Sequence, residues 1–179
     1  MHELLTLTLT ELTARLLQRK ASPVELLQAV FERIDAVNPT LNALIAQVDR
    51  DALRAQAKQA EARIARGEGR PLEGVPLGVK DLEDAVGLPT THGSVAFKDA
   101  LPTRDSTQVA RLKAAGALVV GKTHAPELGS TAYTKTRLFG VCRNPWNTEL
   151  SPGGSSGGSA AAMAAVRSAS RPASSGPLA

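Results

Sequence analysis

The chain has 179 residues, 42% of them hydrophobic, and a formal charge of +4 from 21 Lys+Arg against 17 Asp+Glu. That is enough apolar side chain for a packed core, which excludes wholesale disorder, and the small, interspersed basic excess argues against a dedicated nucleic-acid or membrane face. One cysteine, Cys142, excludes an internal disulfide and a Cys-based metal cluster, and three Phe, one Tyr and one Trp make no stacking platform for single-stranded nucleic acid.

No apolar run approaches the ~20 residues of a membrane-spanning helix, and the start lacks a signal-peptide layout. The expectation is a soluble, cytoplasmic chain. Residues 1–66 read as a helical segment. A first helix is predicted from about Thr10 to Lys20, with Leu12, Leu16 and Leu17 on one face. Ser22-Pro23-Val24-Glu25 is a helix start: serine caps, proline suits the first turn, and glutamate completes a capping box. Leu26, Leu27, Val30, Phe31, Ile34 and Val37 follow at helical spacing, and Asn38-Pro39 is the expected stop. An alanine-rich third helix over about 50–66 is polar on much of its surface and is expected to pack lightly on the outside.

The texture changes in the segment 67–166. Gly74-Val75-Pro76-Leu77-Gly78-Val79-Lys80 predicts a buried strand that delivers Lys80 at its end. Asp105-Ser106-Thr107-Gln108 predicts the cap of a helix that closes at Gly116. Residues 117–122 are a continuous apolar run, a strand buried on both faces. Strand, capped helix and apolar strand in that order indicate an α/β class. Residues 140–159 read as loop and Ser159 to Val166 as a small-residue helix. The last stretch, 167–179, holds one large apolar residue, Leu178, and is expected to be a disordered tail.

Pro152-Gly153-Gly154-Ser155-Ser156-Gly157-Gly158-Ser159 is the most unusual stretch. Its glycines permit backbone shapes closed to other residues, and three hydroxyls are gathered just before a helix. Three readings stand: a flexible linker, a phosphate loop without the usual Lys-Ser/Thr pair, or a catalytic serine loop in need of a base. Lys80, at an apolar strand end, is the natural partner for a serine, against the plain reading of a lysine that reaches out to solvent. His2, His92 and His124 form no Ser-His-Asp order and are expected to be polar loop residues; no His/Asp/Glu cluster has metal spacing.

Together these segments resemble the amidase signature family over roughly residues 7–166. The resemblance rests on Gly74 through Asp81, Thr90-Thr91-His92-Gly93-Ser94, Asp105-Ser106-Thr107, Leu112 through Ala117, Gly121-Lys122-Thr123, Phe139-Gly140, Arg143-Asn144-Pro145-Trp146 and Pro152 through Ala162, in the family's order. It implies a mixed twisted sheet surrounded by helices, and hydrolysis of a carboxamide C–N bond on a small-molecule amide, without metal or organic cofactor. It implies a Ser–cis-Ser–Lys triad in which Lys80 is the lysine and Ser155 the bridging serine beside a cis peptide, with Gly153, Gly154, Ser156 and Gly157 supporting the loop. A related possibility is the A subunit of a tRNA-dependent amidotransferase, which needs partner subunits; a third is a remnant that binds amides without turnover.

The family's nucleophilic serine follows the bridging serine by roughly two dozen residues, in a Gly-Gly-Ser loop that forms the oxyanion hole. That count leads to about Ala179, and no Gly-Gly-Ser follows Ser159. Ser174 and Ser175 are poor substitutes, since Pro177 removes an N–H where donors are needed. The family pattern fails at Val166, where glycine is expected. The expectation is a truncated, inactive form with a frameshifted tail over 167–179.

Overall fold

A computed structural model describes residues 2–167. The first helix, α1, spans Leu9–Leu17 and is capped reciprocally by Thr8 and Glu11. It ends before the predicted Lys20 because Arg19 takes a left-handed φ of 59°. Helix α2 spans Pro23–Leu41, and Ser22 Oγ accepts from Val24 N and Glu25 N at 3.0 and 3.3 Å. The Glu25 carboxylate lies instead 3.4 Å from His2 Nε2.

Pro39 does not stop α2, which runs on to Leu41 and ends at Asn42 with φ 50°. A proline in the last turn forfeits only one donor. Asn38 takes over the exit: its Oδ1 accepts from Ala43 N and Leu44 N, and its Nδ2 donates to Leu44 O. That exit starts a strand, β1 (Leu44–Gln47), so residues 1–66 are not purely helical.

Asp49 caps α3 (Arg50–Ala65). The predicted light packing is incorrect. Leu53, Ala57, Ala60 and Ile64 form a fully buried stripe. Leu53 and Ala57 meet Leu27, Phe31 and Ile34 of α2. The alanines that made the helix look uncommitted let it approach closely, and Arg50 and Arg54 lie 4.8 and 5.3 Å from the Phe31 ring centroid.

Three strands form a mixed sheet in the order β1-β3-β2, where β2 is Pro76–Lys80 and β3 is Leu118–Thr123. Strand β3 is central, antiparallel to β1 and parallel to β2, and every residue in it is buried. Leu118 and Val120 join the α2–α3 core, while Val119 faces Val79, Leu88 and Val109 on the other side. Strand β2 is less buried than predicted, with Gly78 exposed, because among the described residues it stands at the sheet edge.

Helix α4 (Thr107–Ala114) carries Val109 into that second core. Ser106 occupies its cap position without the predicted side-chain bond. The neighbouring Asp105 does the work differently, with Oδ1 accepting from Val86 N at 2.8 Å and from Lys113 Nζ at 2.7 Å. A small hairpin, β4 (Lys135–Thr136) and β5 (Gly140–Val141), precedes the serine-rich loop. Helix α5 spans Gly157–Arg167, and Ala161 and Ala165 pack on Leu41, Ala43 and Cys142. Its backbone continues through Arg167, where the tail was expected to begin; Ser174, Ser175 and the rest of that stretch lie outside the described residues.

Candidate active site

Strand β2 ends at Lys80 because the chain leaves the sheet there: Asp81 N still donates to Thr123 O, and His92 N then takes Asp81 O. The Lys80 side chain crosses to the serine-rich loop. Its Nζ donates to Ser155 Oγ at 2.8 Å and to Ser156 Oγ at 3.0 Å. The peptide bond between Gly154 and Ser155 is cis.

The loop is fastened along its length, unlike a linker. Thr134 Oγ1 donates to Gly153 O at 2.7 Å, and Ser151 Oγ accepts from Thr134 N and Gly153 N. Gly153 has a φ of +89°, open to glycine at little steric cost. At Gly154 a Cβ would meet Thr131 O at 2.6 Å, and at Gly157 it would collide with Thr134. Gly153 thus supplies the left-handed turn, and Gly154 and Gly157 permit the close approach of the loop that carries Ser155 and Ser156.

The end of β3 ties this loop to the sheet. Thr123 Oγ1 and Ser159 Oγ are hydrogen-bonded at 2.7 Å, and Gly158 N donates to His124 O at 2.9 Å. His124 stands just past the end of β3, as a loop residue would, but it is not an ordinary polar one. It is fully buried, with Nδ1 3.1 Å from Asn42 O and Nε2 3.3 Å from Thr136 Oγ1. Burial pulls its pKa below the ordinary 6.5, against the opposing bond from the Asn42 carbonyl. His92, half-buried with φ 51°, lies edge-on to Phe97.

Beneath Lys80 lies a charged cluster that sequence reasoning did not single out. Lys122 is fully buried, and its Nζ donates to Glu83 O at 2.6 Å and Thr90 Oγ1 at 2.9 Å and stands 3.6 Å from Asp81 Oδ1. Asp81, also fully buried, accepts from Thr91 N, Thr91 Oγ1 and Gly93 N. Burial pulls the Lys122 amine below its ordinary range, and Asp81 opposes that. The signal was present: a lysine in a strand read as buried on both faces needs a partner.

Cys142 is fully buried, and burial pushes its thiol up to about 12, so it offers no thiolate for chemistry. Among the described residues no three of His, Cys, Asp and Glu converge to hold a metal ion.

The family model described as Amidase matches residues 25–170. The A subunit of the glutamyl-tRNA(Gln) amidotransferase from Geobacter sp. (strain M21) is 45% identical over 154 residues, covering 86% of this chain and 32% of its own length. An acylamidase from Rhodococcus erythropolis is 42% identical over 151 residues, covering 84% of this chain and 31% of its own. The crystal structure of a bacterial aryl acylamidase superposes with a TM-score of 0.80 at 32% identity, over 87% of this chain and 33% of that one. The chain thus spans about a third of the length of these relatives.

Proposed function

The chain belongs to the amidase signature family, and from that premise we propose that it carries the lysine and bridging serine of an amide-hydrolysing centre. One observation carries the proposal: the Lys80 amine is hydrogen-bonded to Ser155 Oγ at 2.8 Å beside the cis peptide. Neutral Lys80 accepts the Ser155 proton, and Ser155 in turn takes the proton of a nucleophilic serine as that serine attacks the amide carbon. The tetrahedral adduct collapses, the relay returns the proton to the leaving nitrogen, and water cleaves the acyl-enzyme by the same path. Small carboxamides are the proposed substrates.

No Gly-Gly-Ser follows Ser159 in these 179 residues, so the reading assigns them the relay without the nucleophile or oxyanion hole. Loss of a single oxyanion donor already slows such reactions by ~10²–10³. Ammonia release from simple amides by the 179-residue chain is therefore expected to be undetectable. Joining residues 1–165 to the C-terminal two thirds of the Geobacter relative is expected to restore it, and Lys80→Ala or Ser155→Ala should then abolish it. Turnover by the chain alone that Lys80→Ala removes would contradict the missing nucleophile. Activity of the fusion that survives both substitutions would overturn the relay.

The similarity to one component of an amidotransferase supports a second reading, in which partner subunits assemble on this protein. Co-purification of a stoichiometric partner would favour it over a free-standing amidase. Among the described residues no helix is long and apolar enough to cross a membrane. With one free, buried cysteine, a reducing cytoplasmic setting is the proposed location.

A further inference from the structure

The proposed relay leaves the Lys122 ammonium unused, although it is fully buried. A buried lysine is costly unless its charge and donors are satisfied. Here each of its partners belongs to the chain that leaves Lys80. Asp81 is the next residue along. The Glu83 carbonyl accepts from Lys122 Nζ at 2.6 Å, while Glu83 N donates to Lys80 O at 2.9 Å. Thr90 and Thr91 close the far side: Thr90 Oγ1 accepts from Lys122, and Thr91 holds Asp81 through both its N and its Oγ1. The Lys80 main chain is therefore enclosed in a circuit whose centre is Lys122.

The next two residues of the chain fasten the other half of the site. Thr123 reaches Ser159, and His124 O holds Gly158 N. One tripeptide thus grips the lysine turn with its first residue and the serine loop with the other two. We propose that Lys122 is a positioning residue, which sets the Lys80 amine against Ser155 by pinning the 81–84 turn. This rests on the Lys80–Ser155 relay proposed above.

The test measures how fast acetic anhydride acylates Lys80 in the intact 179-residue chain, read by mass spectrometry, with exposed Lys58 as internal reference. Ser155→Ala removes an acceptor and is expected to raise Lys80 labelling roughly threefold, the worth of one net hydrogen bond. Lys122→Met is expected to raise it similarly and, in combination, to erase most of the Ser155→Ala increment. Should Lys122→Met fail to fold, Thr90→Val removes one acceptor of the same ammonium and should shrink the increment in the same direction. Leu53→Ala loosens the core that reaches Leu118 and Val120 of β3 but none of the Lys122 partners, and should leave the increment intact. No effect of Ser155→Ala in the parent chain overturns the relay itself. An undiminished increment in Lys122→Met, or in Thr90→Val if that variant decides, overturns the positioning role and spares the relay. An increment lost equally in Leu53→Ala makes Lys122 a matter of general stability and also overturns it.

Discussion

Lys80 Nζ and Ser155 Oγ are 2.8 Å apart although 75 positions separate them in the chain. Strand β3 makes the meeting possible. Its Lys122 and Thr123 pair in register with Val79 and Lys80, and the same Thr123 holds Ser159. Both halves of the site are therefore referenced to one buried strand, which is how a rigid element fixes a constellation that loops alone would leave loose.

Lys80 also donates to Ser156, at 3.0 Å, so two serines compete for the bridging role. If Ser155 passes the proton and Ser156 only steadies the lysine, the substitutions must differ. In the fusion enzyme, Ser155→Ala should lower kcat by ~10³ or more, the range of a lost acid–base group, and Ser156→Ala by about tenfold or less. Steady-state rates on one amide decide it. Equal losses would assign the bridge to both hydroxyls.

Gly158 provides a test of the loop's attachment. Alanine is the better helix former by about 1 kcal/mol, so propensity alone predicts a gain at this first turn of α5. Space predicts the reverse. A Cβ at Gly158 would press on His124 N and lie 2.6 Å from His124 O and 2.7 Å from Ala43 O, all of them backbone atoms. The clash should win. Gly158→Ala is expected to destabilise the chain by roughly 2 kcal/mol, in the range of forced overpacking, and to lower the urea midpoint. A raised midpoint would show that α5 slides freely and that the Gly158–His124 contact does not hold it.

Leu53 decides how firmly α3 is attached. It lies in the α2–α3 core and is fully buried. Leu53→Ala should cost about 3 kcal/mol, as deletion of a buried leucine does. A helix resting lightly on the surface would lose less than about 1 kcal/mol from the same change. Urea denaturation followed by circular dichroism separates the two.

The sequence made some of this legible and hid the rest for definable reasons. The meeting of Lys80 with the serine loop was readable because several motifs stood in one order, and β3 because an apolar run has few other uses. Strand β1 was hidden behind Asn38-Pro39, where a side chain, Asn38, builds the exit from α2. The grip of α3 was hidden because alanines score weakly as core yet allow close approach. Lys122 was legible as a lysine in a buried strand, but its partners in the 81–90 segment, and those of His124 at Asn42 and in β4, are far apart in sequence and were hidden.

His124 gives the fold a pH dependence with a definite sign. Its folded-state pKa is depressed from 6.5, chiefly by burial, so the folded form binds a proton less readily than the unfolded chain does. Its stabilising effect is therefore complete above the unfolded value and is lost as pH falls below it, by up to about 1.4 kcal/mol per pH unit. Two carboxyls act lower on the scale. Burial would raise the pKa of Glu73, but bonds from Arg70 and Arg63 hold it below 4.5, and Lys113 and Val86 likewise outweigh burial to hold Asp105 below 3.8. Their contributions are present at neutral pH and fade only below those ordinary values. The interval from about pH 6.5 to about pH 5 thus lies above both carboxyls, where loss of the His124 contribution is expected. Urea midpoints should fall across that interval in the parent chain, and His124→Gln should flatten the decline while lowering stability at neutral pH. An undiminished decline in the glutamine variant would place the titrating group elsewhere.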